Sequence, residues 1–260
     1  MIYVNVLKNI FCIYLNKIQF SKYFNKNTKL SRIGYQEVKN FISEEMCDEI
    51  INYFKPLEKE NSYKNNDLIY IKRKQLNMGR YKVYDLNTSQ FFGIQRNNLL
   101  IQKLIKDKKI EKLFLENIGI ELKIDEISLM VNDPDNSTRQ PLHVDTFYPT
   151  NFKFFVYLTD CSKKDYGPYT YVKKSHLHTI RKAKSILKNF INRRHLPQME
   201  LEYSNEEADL VLGGKGDGFM SNMSGVHGGY HDHKEKKRYM LVFQLSRKQD
   251  KYSSVSDSIN

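Results

Sequence analysis

The sequence predicts a mainly β fold with helices at its N-terminal end, gathered in one domain. Three observations carry that prediction. From Glu121 onward the chain runs in strand-like stretches, at residues 121–132, 152–159, 168–172 and 237–245, rich in branched and aromatic side chains. Before that point the clearer patterns are helical, at residues 43–54, 99–105 and 109–118. All seven histidines lie at or beyond position 143, and seven of the twelve glycines fall between 213 and 229. The first half therefore reads as scaffold and the second as chemistry.

The bulk numbers fit a single domain over residues 1–260. A chain of 260 residues with 40% hydrophobic and 13% aromatic side chains can bury a real core, in which Tyr and Phe replace the missing Trp. Cys12, Cys47 and Cys161 are odd in number and scattered, which argues against a disulfide framework and for a reducing interior. The net charge of +12 would allow an anionic partner, but no compact basic run concentrates it, so solvated lysines are the expectation and nucleic acid is not the expected partner. Within residues 1–20 the longest apolar run is Ile10 to Leu15, far short of the ~20 residues of a membrane span. An amphipathic helix packed on the protein body is expected there, in preference to peripheral membrane contact, and a cytoplasmic location follows as the default.

In order along the chain, residues 34–41 read as a short strand. Ser43 reads as a helix N-cap, with Glu44 and Glu45 in the first turn where the helix dipole favours them. Met46, Cys47, Ile50, Ile51 and Phe54 form the expected buried stripe, and Pro56 ends it. Residues 58–67 read as loop and 80–86 as a strand. Helices over 99–105 and 109–118 follow, the second stopped by Gly119. Among the strands of residues 121–247, the segment about 179–192 breaks the pattern. Ile180, Ala183, Ile186, Leu187, Phe190 and Ile191 keep helical spacing, which predicts an inserted helix with Arg181, Lys182, Lys184 and Lys188 on a solvent-facing basic side. Residues 248–260 read as a polar, frayed tail.

Chemistry concentrates in Gln140-Pro-Leu-His-Val-Asp145. His143 and Asp145 are two apart, so on a strand an imidazole and a carboxylate face one point. A second imidazole downstream would complete a 2-His-1-carboxylate site, the donor set of non-haem Fe(II) with coordination positions left open. His227 is one candidate, reached through the glycine turn Gly216-Asp-Gly218 and a strand expected to end at His227 itself. His231 and His233 compete with it; they lie in a Tyr-His-Asp-His-Lys-Glu-Lys run that reads as a polar loop, so His227 is preferred. His176 and His178 read as structural or exposed. Arg238, eleven residues past His227, could pair bidentately with a carboxylate. Asn132, on the strand before His143, could face inward toward a co-substrate. Gly213-Gly-Lys-Gly-Asp-Gly218 lacks the ending and the helix of a phosphate loop and reads as turn glycines.

Together, His143-Val-Asp145, Tyr157-Leu-Thr-Asp160, Gly167-Pro168 leading to Ser175-His176, Gly216-Asp217, His227-Gly-Gly229 and Arg238 resemble the phytanoyl-CoA dioxygenase-like family of Fe(II)/2-oxoglutarate oxygenases, over about residues 34–245. The resemblance implies a double-stranded β-helix (jelly-roll, cupin-like) barrel with N-terminal helices packed outside it. It implies His143, Asp145 and His227 as iron ligands, Arg238 on the far carboxylate of 2-oxoglutarate, and O2 as oxidant. Lys173-Lys174 replace the family's usual Pro-Gly before the Ser-His pair, which would reshape that turn. Related halogenases lack a carboxylate at the position of Asp145, so hydroxylation of an unactivated C–H bond is expected. The expected substrate is a small molecule, phosphate-bearing or carrier-linked in view of the basic inserted helix. A catalytically silent barrel and a nucleic-acid demethylase of the same barrel type are the rival readings.

Overall fold

The computed structural model describes residues 27–59, 62–65, 68–72, 88–134, 142–145, 150–177, 180–182, 184, 199–200, 203–230 and 233–248. The N-terminal part contributes α1 (Lys29–Ile33), β1 (Tyr35–Val38), α2 (Glu44–Phe54), a 3-10 turn (Lys55–Lys59), β2 (Ser62–Asn65), β3 (Leu68–Lys72), β4 (Thr88–Phe92), α3 (Ile94–Asn97), α4 (Leu99–Lys106) and α5 (Lys109–Ile118). The strands of the second part are β5 (Leu122–Asn132), β6 (His143–Val144), β7 (Phe152–Tyr157), β8 (Tyr169–Val172), β9 (Met199–Glu200), β10 (Ala208–Val211), β11 (Gly218–Asn222), β12 (His227–Gly229) and β13 (Arg238–Arg247).

They form two antiparallel sheets. The larger runs β1-β11-β7-β13-β5-β4-β3-β2 and the smaller β10-β8-β12-β6-β9. This is the two-sheet jelly-roll architecture that the resemblance implied. Strand alternation divides each central strand between two cores. On β13, Tyr239, Leu241, Phe243 and Leu245 face outward and pack with Cys47, Ile50, Phe54, Ile101, Phe114 and Ile118 of the helices. Met240 and Val242 face the other way, between the sheets, with Tyr35, Phe155, Tyr157, Tyr169, Tyr171 and Phe219. Each fully buried Phe of the outer core is worth roughly 1.5–3 kcal/mol of transfer free energy. That is what clamps the helices onto the larger sheet.

The local helix signals act as the sequence predicts. Ser43 Oγ accepts a hydrogen bond from the Met46 backbone N–H at 3.2 Å, and α2 stops at Phe54. Gly119 ends α5 in the left-handed conformation, φ 70°.

Four expectations are corrected. Residues 58–67 are not simply loop: Ser62–Asn65 is a strand paired with β3. It sits at the outer edge of the larger sheet, where main-chain pairing suffices and a polar sequence is tolerated. With β3 and β4 it extends the barrel sheet into the N-terminal half, which is therefore more than a helical cover. The strand after Gly216 ends at Asn222, and His227 opens a separate strand in the other sheet. Finally, Ile180–Lys182 are helical as expected but with the opposite phase. Ile180 is 76% exposed, whereas Lys182, expected in solvent, is 1% exposed. The remainder of the inserted helix, the N-terminal segment 1–20, the strand expected at 80–86 and the tail from residue 249 lie outside the described residues. Among the described residues no helix is long and apolar enough to cross a membrane.

Candidate metal centre

β6 and β12 are neighbours in the smaller sheet, and their pairing makes His143 and His227 direct cross-strand partners. Residues opposite each other in an antiparallel pair point to one face, so both imidazoles enter the space between the sheets. Their ring centroids are 4.5 Å apart. Asp145 follows just beyond β6, and its backbone N–H donates to Met223 O at 3.2 Å, tying it to the turn that leads into β12. Asp145 Oδ1 lies 3.2 Å from His143 Nε2 and 3.5 Å from His227 Nε2. One donor atom from each of the three residues fits within a 4.8 Å cluster, the one such grouping of His, Cys, Asp and Glu among the described residues.

His227 is fixed from behind. Its Nδ1 lies 2.8 Å from Gly225 O, and a carbonyl only accepts, so Nδ1 carries the proton and Nε2 presents a lone pair to the cluster. Burial, and then neighbouring His143, lower its pKa and favour the neutral ligand form. Burial alone would raise the Asp145 pKa, but Lys153 and His227 hold it well below the usual carboxylate range. The site thus brings two imidazoles and an ionised carboxylate together, a donor set that fits a divalent transition metal.

The turn before His227 is held on every side. Ser224 N–H and Oγ both donate to Asn222 Oδ1, at 3.0 and 2.8 Å. Ser175 Oγ accepts from Val226 N–H at 2.7 Å and donates to Val172 O at 2.6 Å. Tyr171 donates to Asn222 O at 3.0 Å, and its hydroxyl occupies the place where a Cβ on Gly225 would sit. Tyr169 stacks on the His227 ring at 5.6 Å. The Lys173-Lys174 turn holds Lys174 at φ 63°, a conformation glycine would adopt without strain.

Arg238 opens β13, and in register it faces Asn132 on β5. It is buried, and its Nε and Nη2 both donate to Asn132 Oδ1, at 3.2 and 2.8 Å, while Nη1 donates to Gly167 O. Asn132 Nδ2 is itself tied to Thr88 Oγ1. A Cβ on Gly229, two residues past His227, would lie 3.7 Å from Arg238 Nη2, so the guanidinium borders the strand that carries the distal histidine.

The remaining candidates fall elsewhere. His233 is buried, packs on Gly167 and bonds to Lys236 O, while His231 and His178 lie outside the described residues. His176 is a buried structural residue against Ser31 O at 3.0 Å. Asp217 in the glycine-rich turn accepts from Asn40 N–H, Gly214 N–H and Lys39, which makes that segment a structural turn. The sequence reading missed Lys153, hidden in an aromatic strand, and Lys182, hidden in an apparently solvated helix face.

The chain is similar to several solved structures. The α-ketoglutarate-dependent epimerase SnoN from nogalamycin biosynthesis, in complex with Fe3+, α-ketoglutarate and nogalamycin RO, superposes with a TM-score of 0.62 at 15% identity, over 88% of this chain and 84% of that one. AviO1 from Streptomyces viridochromogenes Tue57 gives 0.56 at 13% identity, over 92% and 98%. HygX from Streptomyces hygroscopicus, with nickel and 2-oxoglutarate bound, gives 0.56 at 13%, over 86% and 89%. At such identities the likeness establishes the fold. A sequence comparison with curated proteins gives no match. The phytanoyl-CoA dioxygenase (PhyH) family model matches residues 30–239, a span that takes in His143, Asp145, His227 and Arg238. The chain therefore belongs to the phytanoyl-CoA dioxygenase family, within the Fe(II)/2-oxoglutarate oxygenase superfamily.

Proposed function

We propose that this protein is an Fe(II)/2-oxoglutarate-dependent hydroxylase of a small molecule, with His143, Asp145 and His227 as the iron ligands. The observation that carries the reading is the convergence of those three donors, within 4.8 Å, at the middle of a jelly-roll barrel. The iron and 2-oxo acid held by SnoN, and the 2-oxoglutarate held by HygX, support the same pair here. When bound, the metal and co-substrate would supply the O2-dependent oxidation of a C–H bond.

The chain's own residues would do the rest. His227, neutral and oriented by Gly225 O, offers Nε2. Asp145 offers Oδ1. Arg238 would take the far carboxylate of 2-oxoglutarate with N–H groups left beyond its present bonds, since a guanidinium has five. Asn132 acts through Arg238: both oxygen and amide of its side chain are spent on the protein, which fixes the plane of the guanidinium. Phe155, Tyr157, Tyr169 and Phe219 line the inter-sheet core beside the site and keep it dry.

A phosphate-bearing or carrier-linked substrate was suggested by the basic inserted helix. Of that helix's basic side chains, Lys182 is buried and Arg181 pairs with Glu207 at 2.6 Å. The test is anaerobic titration with Fe(II) and 2-oxoglutarate, followed by the visible charge-transfer band, and then succinate formation on admitting O2. The wild type should give both, and His143→Ala neither. A silent barrel would bind metal and form no succinate.

A further inference from the structure

The most unusual side chain near the donors is Lys153. Along β7, Phe152, Phe154 and Val156 face the helices, while Phe155 and Tyr157 face the space between the sheets. Alternation puts Lys153 on that inner face too, in register with Ser221 on β11 and Gln244 on β13. Packing gives no reason for a lysine there. Its ammonium reaches Asp145 Oδ2 at 2.6 Å, while Oδ1 of the same carboxylate faces the two imidazole Nε2 atoms.

From this geometry we infer that Lys153 is a positioning residue that holds Asp145 as a one-oxygen ligand and tilts the charge of the centre toward a doubly negative co-substrate. The inference rests on the proposed function. A carboxylate with both oxygens free can chelate a metal and fill two coordination positions. A short, charge-assisted bond on Oδ2 withdraws that oxygen and leaves the second position open. The charges point the same way. An imidazole that ligates a metal does so as the neutral ring, so with one carboxylate and one ammonium the protein's part sums to zero; a divalent ion makes the centre +2 and a dicarboxylate dianion returns it to zero. Without Lys153 each step is one unit more negative, which favours the metal and disfavours the dianion. Arg238 adds positive charge equally in both cases. Lys153 is not itself an anion subsite, because its charge is already matched by Asp145 at contact distance.

The two effects make a split that a merely structural residue would not produce. Lys153→Met should bind Co(II) as tightly as the wild type or several-fold more tightly. It should bind 2-oxoglutarate to the Co(II)-loaded protein about tenfold or more weakly, read from the Co(II) absorption spectrum by titration in the absence of O2. Lys153→Arg, which keeps the charge and the donor, should restore 2-oxoglutarate affinity to within about threefold. Equal affinity for 2-oxoglutarate in Lys153→Met and wild type overturns the inference alone. A parallel fall in both affinities, in a Lys153→Met or Lys153→Gln protein of lowered melting temperature, also overturns it, since that marks a structural role. A wild type that binds neither Co(II) nor 2-oxoglutarate overturns the proposed function and this inference with it.

Discussion

His143 and His227, far apart in sequence, sit directly opposite each other on antiparallel β6 and β12, with their rings 4.5 Å apart. Among the described residues, His227 is the histidine that this pairing brings to His143 and Asp145. A strand slip of one residue would turn His227 out of the barrel, because alternation reverses the face. The turn of residues 222–226 therefore sets the register in which His227 meets His143.

The choice of distal ligand follows from this pairing. His227→Ala and His143→Ala should each lower Co(II) affinity by at least about 100-fold, the upper end of what loss of a ligand's supporting contact alone costs. His233→Ala should leave Co(II) affinity within about twofold while lowering stability, because His233 packs on Gly167. Isothermal titration of the three variants checks this. Loss of metal from His233→Ala, with binding intact in His227→Ala, would reverse the assignment.

Asn132 should matter to the co-substrate and not to the metal. Its Oδ1 takes two donors of the buried Arg238 guanidinium, and hydrogen bonds to charged groups are worth about 1.5–3 kcal/mol. Asn132→Leu should weaken 2-oxoglutarate binding about 10- to 100-fold. Co(II) affinity should stay unchanged, since Asn132 touches none of the three donors. An unaltered 2-oxoglutarate affinity would show that Arg238 is held well enough by Gly167 O alone.

What could be read from the sequence was residue chemistry at fixed spacing. His143 and Asp145 alone say little, since any strand can carry His-x-Asp by chance; it is their order and spacing with Gly216-Asp217, His227 and Arg238 that reads as a metal site. Ser43 and Gly119 announce helix ends because caps are local. Lys153 and Lys182 gave no signal for the opposite reason. Each is explained by a partner on another element, Asp145 Oδ2 for Lys153 and Ser224 O for Lys182, and no local period encodes such a partner. Helical spacing predicts the inserted helix but assigns its buried side by hydrophobicity, whereas in the structure the Lys182 amine, with buried carbonyl acceptors, takes the buried side and Ile180 is exposed. The edge strand β2 was missed because main-chain pairing asks little of its side chains.

Gly225 is a place where a small change should reach the metal. A Cβ there would lie 1.7 Å from the Tyr171 hydroxyl, and Gly34 presses on the same hydroxyl, a Cβ on it lying 2.3 Å away. The ring has nowhere to go. Gly225→Ala should cost about 1–3 kcal/mol of stability through overpacking. It should also displace Gly225 O, which orients His227, and weaken Co(II) binding about 10- to 100-fold. Denaturant unfolding and metal titration measure the two separately. Wild-type metal affinity in this variant would mean that the His227 orientation does not depend on that carbonyl.

The buried pair behind this turn should make stability depend on pH in two windows. Burial lowers the His176 pKa from 6.5 to about 4, aided by nearby Lys182, against the opposing hydrogen bond to Ser31. Between about 4 and 6.5 the unfolded chain holds a proton that the folded chain does not, so stability rises with pH through that window and is lost on acidification. The single group accounts for about 3 kcal/mol. Burial likewise lowers the Lys182 amine from 10.5 to about 7, even though it donates to Ser224 O and His176 O. Between about 7 and 9 the unfolded chain again carries the extra proton, so stability rises with pH there too; above about 9 the Cys47 and Cys161 thiols, which burial pushes up to about 12, reverse the slope. Urea unfolding of the metal-free protein at a series of pH values should show both slopes. His176→Gln should reduce only the acidic one, to which neutral His227 also contributes, and Lys182→Met only the alkaline one. A Lys182→Met protein with the wild-type alkaline slope would mean that Lys182 stays charged in the folded state and anchors the turn as an ammonium.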